Sequence, residues 1–218
     1  MEYFIKKVNN LEMHYTKNDE NLLKQVESCI QEIEIFLQNE YYFKSFDLKV
    51  LICPSVEEYI IQTRKLKEEY ESWMIGCSLQ EEHKIVLLSP TVIQDATIED
   101  LLKIVKHEMV HFIFDTNIVN AKPAEWISEG IAILLADQTD LRYVSLTEYP
   151  KIDQISSEDD FADNGGYDYA GIYVWHFIDK FGKDAFLKVY RDSSVIKEYL
   201  NSGFEYEAIS NYLEQKKK

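Results

Sequence analysis

An α/β (α+β) fold is predicted for this chain: an N-terminal α/β lobe with a mixed sheet, then a C-terminal helical lobe. Three observations predict it. Leu48–Cys53, followed by Pro54, and Lys84–Leu88, followed by Ser89-Pro90, are short apolar runs closed by turn residues, and both read as strands. Apolar residues at helical spacing separate these runs. From Thr97 onward the pattern turns helical.

Each element follows in order. From about Glu20 to Gln38, Leu22, Leu23, Val26, Ile30, Ile33 and Phe36 fall on one stripe of a helix. A shorter helix is predicted from Ser55 to about Tyr70. Thr97-Ile98-Glu99-Asp100 resembles a capping box with Asp in place of Glu, so a helix starts there and runs to about Asp115. Another is predicted from Pro123, a residue suited to a first turn, to about Ala136. The acidic, glycine-containing stretch Ser156 to Gly166 predicts a loop. Helices resume over Tyr167 to Phe181, stop at Gly182 and continue to the C-terminus. With no internal repeat and no low-complexity linker, residues 1–218 form one domain, made of a 1–116 α/β lobe and a 117–218 helical lobe.

Composition narrows the function classes. A hydrophobic content of 46% with 28% charged residues is ordinary for a globular protein. No apolar run approaches the roughly 20 residues that span a bilayer. The N-terminus lacks the charged-then-apolar order of a secretory signal, so a cytoplasmic protein is expected. Cys29, Cys53 and Cys77 are scattered, which argues against a disulfide framework and against a cysteine zinc site. A net charge of −16 makes nucleic acid and anionic membranes poor partners, because binding them requires Lys and Arg to neutralise phosphates. The same field would draw in basic peptides.

His107-Glu108-Met109-Val110-His111 carries the chemistry. Residues four apart project from one helix face, so both imidazoles can reach one zinc ion. Glu108, about 100° further round, can reach a water on that ion without ligating it, as a general base does. Leu101, Val105, Met109 and Phe112 form the opposite, core stripe. Glu129 follows His111 after 17 residues, enough to end one helix, turn, and bring the next one back. Two His, one Glu and an open water position make a hydrolytic zinc site, so one Zn²⁺ per chain is expected on His107, His111 and Glu129. Gly130 inside a helix costs about 1 kcal/mol relative to Ala, which a close helix–helix approach beside the metal would explain.

HEMVH followed by WISEGIA resembles the gluzincin clan of metallopeptidases, in particular the small proteins called peptidase MA-like. It is also similar to the HExxH and WLNEG-type pair of the family containing zinc leucyl aminopeptidases. The resemblance implies a zincin-like fold with a cleft between the lobes, and Glu129 as third ligand. It further implies a downstream tyrosine that hydrogen-bonds the oxyanion: Tyr167 by register, with Tyr169 as the rival, in the stretch beginning Tyr167-Asp168-Tyr169-Ala170-Gly171. His176, inside the apolar stripe of that helix, reads as a packed histidine. The glycine-rich motif with which the aminopeptidases recognise a free amino terminus has no counterpart, so an endopeptidase or oligopeptidase with a peptide or protein substrate is expected.

By analogy, Trp73-Met74-Ile75-Gly76 and Lys84–Leu88 would supply a sheet edge for an extended peptide. Asp115, one turn beyond His111, is either a carboxylate that orients a ligand histidine or a surface Asp. Glu158-Asp159-Asp160 lacks calcium-loop spacing and reads as a solvated loop that could serve as a lid. The alternative to an enzyme is a non-catalytic zincin-fold protein that binds metal and serves interaction or regulation.

Overall fold

The computed structural model describes residues 2–64, 70–71, 74–93 and 97–217. They form two compact units, Met1–Asn117 and Ile118–Lys218. The fold is mixed α/β, with a five-stranded mixed sheet. Among the described residues no helix is long and apolar enough to cross a membrane.

The first unit holds the sheet. Strands β1 (Phe4–Val8), β2 (Leu11–Tyr15), β3 (Leu48–Cys53), β4 (Gly76–Leu79) and β5 (Lys84–Leu88) lie in the order β1-β2-β3-β5-β4. The β2–β3 and β3–β5 pairs are parallel, and the two outer pairs are antiparallel hairpins. Both predicted strands are the parallel centre of this sheet, and their near-continuous apolar runs suit strands buried on both faces. Strand periodicity sends Leu51, Cys53, Val86 and Leu88 to one face, where they cluster with Tyr59 of α2 (Val56–Thr63). Val50, Ile52, Ile85 and Leu87, all fully buried, take the other face. Each contributes ~1.5–3 kcal/mol by leaving water.

Helix α1 (Leu23–Tyr41) packs on α3 (Ile98–Asn117), and α3 packs on β4 and β5. The capping box at the start of α3 forms reciprocally: Asp100 N donates to Thr97 Oγ1 at 3.1 Å, and Thr97 N donates to Asp100 Oδ2 at 2.9 Å. The Thr97 hydroxyl, donating to Asp100 Oδ2 at 2.6 Å, and then the Thr97 N–H hold the Asp100 carboxyl below its usual range. Helix α2 stops at Arg64, which is left-handed at φ 58°. Residues 65–69 of the longer predicted helix, and Trp73 of the predicted edge, lie outside the described residues. The edge beside β5 is β4, so Lys84–Leu88 is an inner strand and not the edge expected for it.

Within the described part of the second unit the regular elements are helices: α4 (Glu125–Leu135), α5 (Glu158–Phe161), α6 (Gly166–Phe181), α7 (Lys183–Arg191) and α8 (Phe204–Lys216). Helix α6 is the hub, packing on α4, α7 and α8 and burying Tyr169, Ala170, Ile172, Tyr173, Val174, His176 and Phe177. Pro123 precedes α4 by two residues instead of opening its first turn, because Ala124 is the N-cap. The predicted 156–166 loop contains the helical turn α5, where Ser157 Oγ donates to Asp160 Oδ2 at 2.9 Å. The buried ring of Phe161 anchors that turn.

Candidate metal and catalytic site

Helix α3 sorts its side chains by face. Leu101, Val105, Met109, Val110, Phe112, Ile113 and Phe114 are buried, while His107, Glu108 and His111 are partly exposed. The i, i+4 spacing brings the two imidazoles together, with Nε2 of His111 and Nε2 of His107 3.0 Å apart. Their ring centroids are 4.7 Å apart and the planes meet at 68°. Two nitrogens bound to one zinc at tetrahedral angles stand about 3.3 Å apart. The observed pair fits that requirement with a small opening of the side chains.

Glu108 turns toward the sheet edge. A Cβ built on Gly76, the first residue of β4, would stand 3.0 Å from Glu108 Cγ, 3.1 Å from its Oε1 and 2.5 Å from Ile104 Cγ2. Only glycine lets the strand backbone come this close. The carbonyl of Gly76 accepts a hydrogen bond from the Tyr59 hydroxyl at 2.7 Å, which fixes the strand end. Burial pushes the Tyr59 phenol well above its ordinary value, and the negative potentials of Cys77 and Glu108 add to that, so it remains a donor. Sequence reasoning named Gly76 only as part of an edge, and it missed the contact with Glu108. The one signal present was a glycine opening a strand.

Asp115 accepts a hydrogen bond from the side-chain amide of Gln80. Gln80 lies just after β4, so this bond ties the same edge to α3.

In the second unit Glu129 is partly buried on α4, next to Gly130. The close approach that Gly130 permits is to α6: an added Cβ would stand 2.6 Å from the Ala170 carbonyl oxygen and 2.6 Å from Val174 Cγ2. The turn of α4 that bears Glu129 is thereby held by backbone contact with α6. No protein-family model matches the sequence, and no curated protein matches it.

The two tyrosines separate clearly. Tyr169 is buried, and its hydroxyl accepts from Ser145 N at 2.9 Å and donates to Glu148 O at 2.9 Å. It is used in holding the 143–148 segment. Tyr167 is exposed, its ring edge-on to Phe161 at 4.8 Å. His176 is buried on α6, and among the described residues neither ring nitrogen has a hydrogen-bond partner, Glu207 Oε1 standing 3.8 Å from Nε2. Burial pulls its pKa below the ordinary value, partly opposed by Glu207.

Proposed function

We propose that this chain is a zinc-dependent peptidase of the gluzincin kind, zincin-like in fold and acting on internal bonds of peptides or proteins. The observation that carries the reading is the pair of imidazole nitrogens 3.0 Å apart on one face of α3, with Glu108 between them in sequence and lodged against Gly76 of an edge strand. His107 and His111 are taken as two ligands of the metal ion, and Glu129 as the third. Two nitrogens and one carboxylate leave a fourth position open, which is the donor set of a hydrolytic zinc site.

Zinc held there supplies a Lewis acid that lowers the pKa of water and polarises a peptide carbonyl. Glu108 accepts the proton of the attacking water and passes it to the leaving amine. Edge strand β4 offers backbone groups along which an extended peptide adds as a further strand. Tyr167, the match by register, takes the oxyanion-donor role, and the hydroxyl of Tyr169 holds the 143–148 segment.

The test is metal analysis of the purified chain together with cleavage of a mixed peptide library, before and after chelation. One zinc per chain and chelator-sensitive cleavage are expected. Stoichiometric zinc without any cleavage would establish instead the non-catalytic metal-binding reading, and a chain that takes up no zinc overturns both.

A further inference from the structure

On the sheet face shared by Leu51 and Val86, a row of charge runs against the sign of the rest of the chain. Lys7 of β1, Glu12 of β2, Lys49 of β3 and Lys84 of β5 are register partners across four neighbouring strands. Lys49 and Lys84 therefore stand side by side in register, and Glu82 is the acid that acts on both. Like charges directly opposite one another on adjacent strands are destabilising.

The local acids are shared. Glu12 meets Lys7 at 2.5 Å, His14 Nε2 at 2.5 Å and Lys49 at 4.0 Å. Glu82 meets Arg64 at 2.6 Å and Lys84 at 2.8 Å. Four permanent cations thus share two carboxylates, in a chain where Asp and Glu number 39 against 23 Lys and Arg. The hydrogen bond from Lys7, and then that from His14, holds Glu12 down to about 2.

A cavity of about 280 Å³ opens over this row, lined among others by Tyr3, His14, Lys49, Gln62, Glu82 and Lys84. Lys84 is 8% exposed, and its ammonium meets Glu82 and, at 3.5 Å, Gln62 Oε1. An ammonium has three donors, so one remains. Among the described residues, the ion pair of Lys49 is the long 4.0 Å contact with Glu12, and Glu82 attracts it from further away. The hydroxyl of Tyr3 is buried beside the Cys53 thiol, and among the described residues it has no hydrogen-bond partner of ordinary geometry.

We propose that this cavity binds a doubly charged oxyanion, a phosphate or phosphate monoester, between the ammonium groups of Lys49 and Lys84. The four cations exceed the two carboxylates by two charges, which matches a dianion, and the walls focus a positive field that the exterior of an acidic protein otherwise lacks. The bound oxyanion accepts charge-assisted hydrogen bonds from both lysines and turns their repulsion into a shared ion pair. The site belongs to the first unit alone and stands independently of any metal.

Calorimetric titration of the full chain with inorganic phosphate and, separately, with phenyl phosphate at low salt tests this. At least one of the two binds at one site per chain, Lys49→Gln weakens it by about tenfold or more, and Lys103→Gln on α3 leaves it unchanged. Lys49 is half-exposed, so its substitution is expected to leave the fold intact, as circular dichroism would verify. Tighter binding of the ester assigns the site to phosphorylated groups, and tighter binding of inorganic phosphate assigns it to the free ion. Absence of binding at millimolar concentrations, or equal affinity in Lys49→Gln, overturns the proposal.

Discussion

Gly76 and Glu108 are in contact across the edge of the sheet: any β-carbon on the strand residue would press on Cγ and Oε1 of the carboxylate side chain. The relationship makes residue 76 a positioning element for Glu108, although it carries no functional group.

Gly76→Val is expected to cost ~1–3 kcal/mol through overpacking against Ile104 and Glu108. It should also displace the Glu108 carboxylate, lowering kcat more than it raises KM. Thermal melts and steady-state kinetics on the cleaved peptide check both, and a variant with wild-type kcat would show that Glu108 tolerates the shift.

Glu108→Gln keeps the shape and the Gly76 contact but cannot take a proton. Cleavage should fall by roughly 10²–10⁴-fold with zinc content unchanged. Full turnover in this variant would remove Glu108 from the role of base.

Gly130→Ala should be destabilising even though Ala is the better helix former by about 1 kcal/mol. The new methyl meets the Ala170 backbone carbonyl at 2.6 Å, and backbone cannot swing aside. A net loss of ~1–3 kcal/mol is expected in urea unfolding. A gain in stability would mean that α4 and α6 separate readily.

His176 sets a pH dependence. Its folded pKa lies below the ordinary value of 6.5, first because of burial. The unfolded chain therefore takes up a proton near 6.5 that the folded chain refuses. The contribution is fully present above 6.5, falls as pH drops through the window below it, and levels off beneath the folded pKa. Glu207 at 3.8 Å is too distant to offset this fully, and Lys180, hydrogen-bonded to Glu207 at 2.6 Å, adds to the depression. Unfolding free energies between neutral pH and pH 5 should fall more steeply for wild type than for His176→Phe. Equal slopes would contradict it.

The parts legible in the sequence are those that a single period decides. Val50, Ile52, Ile85 and Leu87 alternate with Leu51, Cys53, Val86 and Leu88 in two unbroken apolar runs, so β3 and β5 are readable. Thr97 and Asp100 bond each other locally, so the start of α3 is readable, and the i, i+4 geometry of His107 and His111 follows. In the β1–β2 hairpin, β1 is harder to read because Lys6-Lys7 breaks its apolar run, whereas Leu11, Met13 and Tyr15 of β2 alternate strictly with Glu12 and His14. Its turn signal is Asn9-Asn10, with Asn9 at φ 53°. Strand β4 has only Gly-Cys-Ser-Leu to announce it. That Gly130 faces Ala170, and Gly76 faces Glu108, depends on tertiary neighbours far along the chain, which no local pattern encodes.

The strand order has a consequence for how the first unit assembles. Both rims of the sheet, β1–β2 and β4–β5, are hairpins of adjacent segments that can close in roughly 1–10 μs. The central parallel pairs must wait for long loops to close, at a higher entropic cost. The sheet is therefore expected to zip from its two margins toward Val50, the last position to gain protection in a pulsed hydrogen-exchange experiment during refolding.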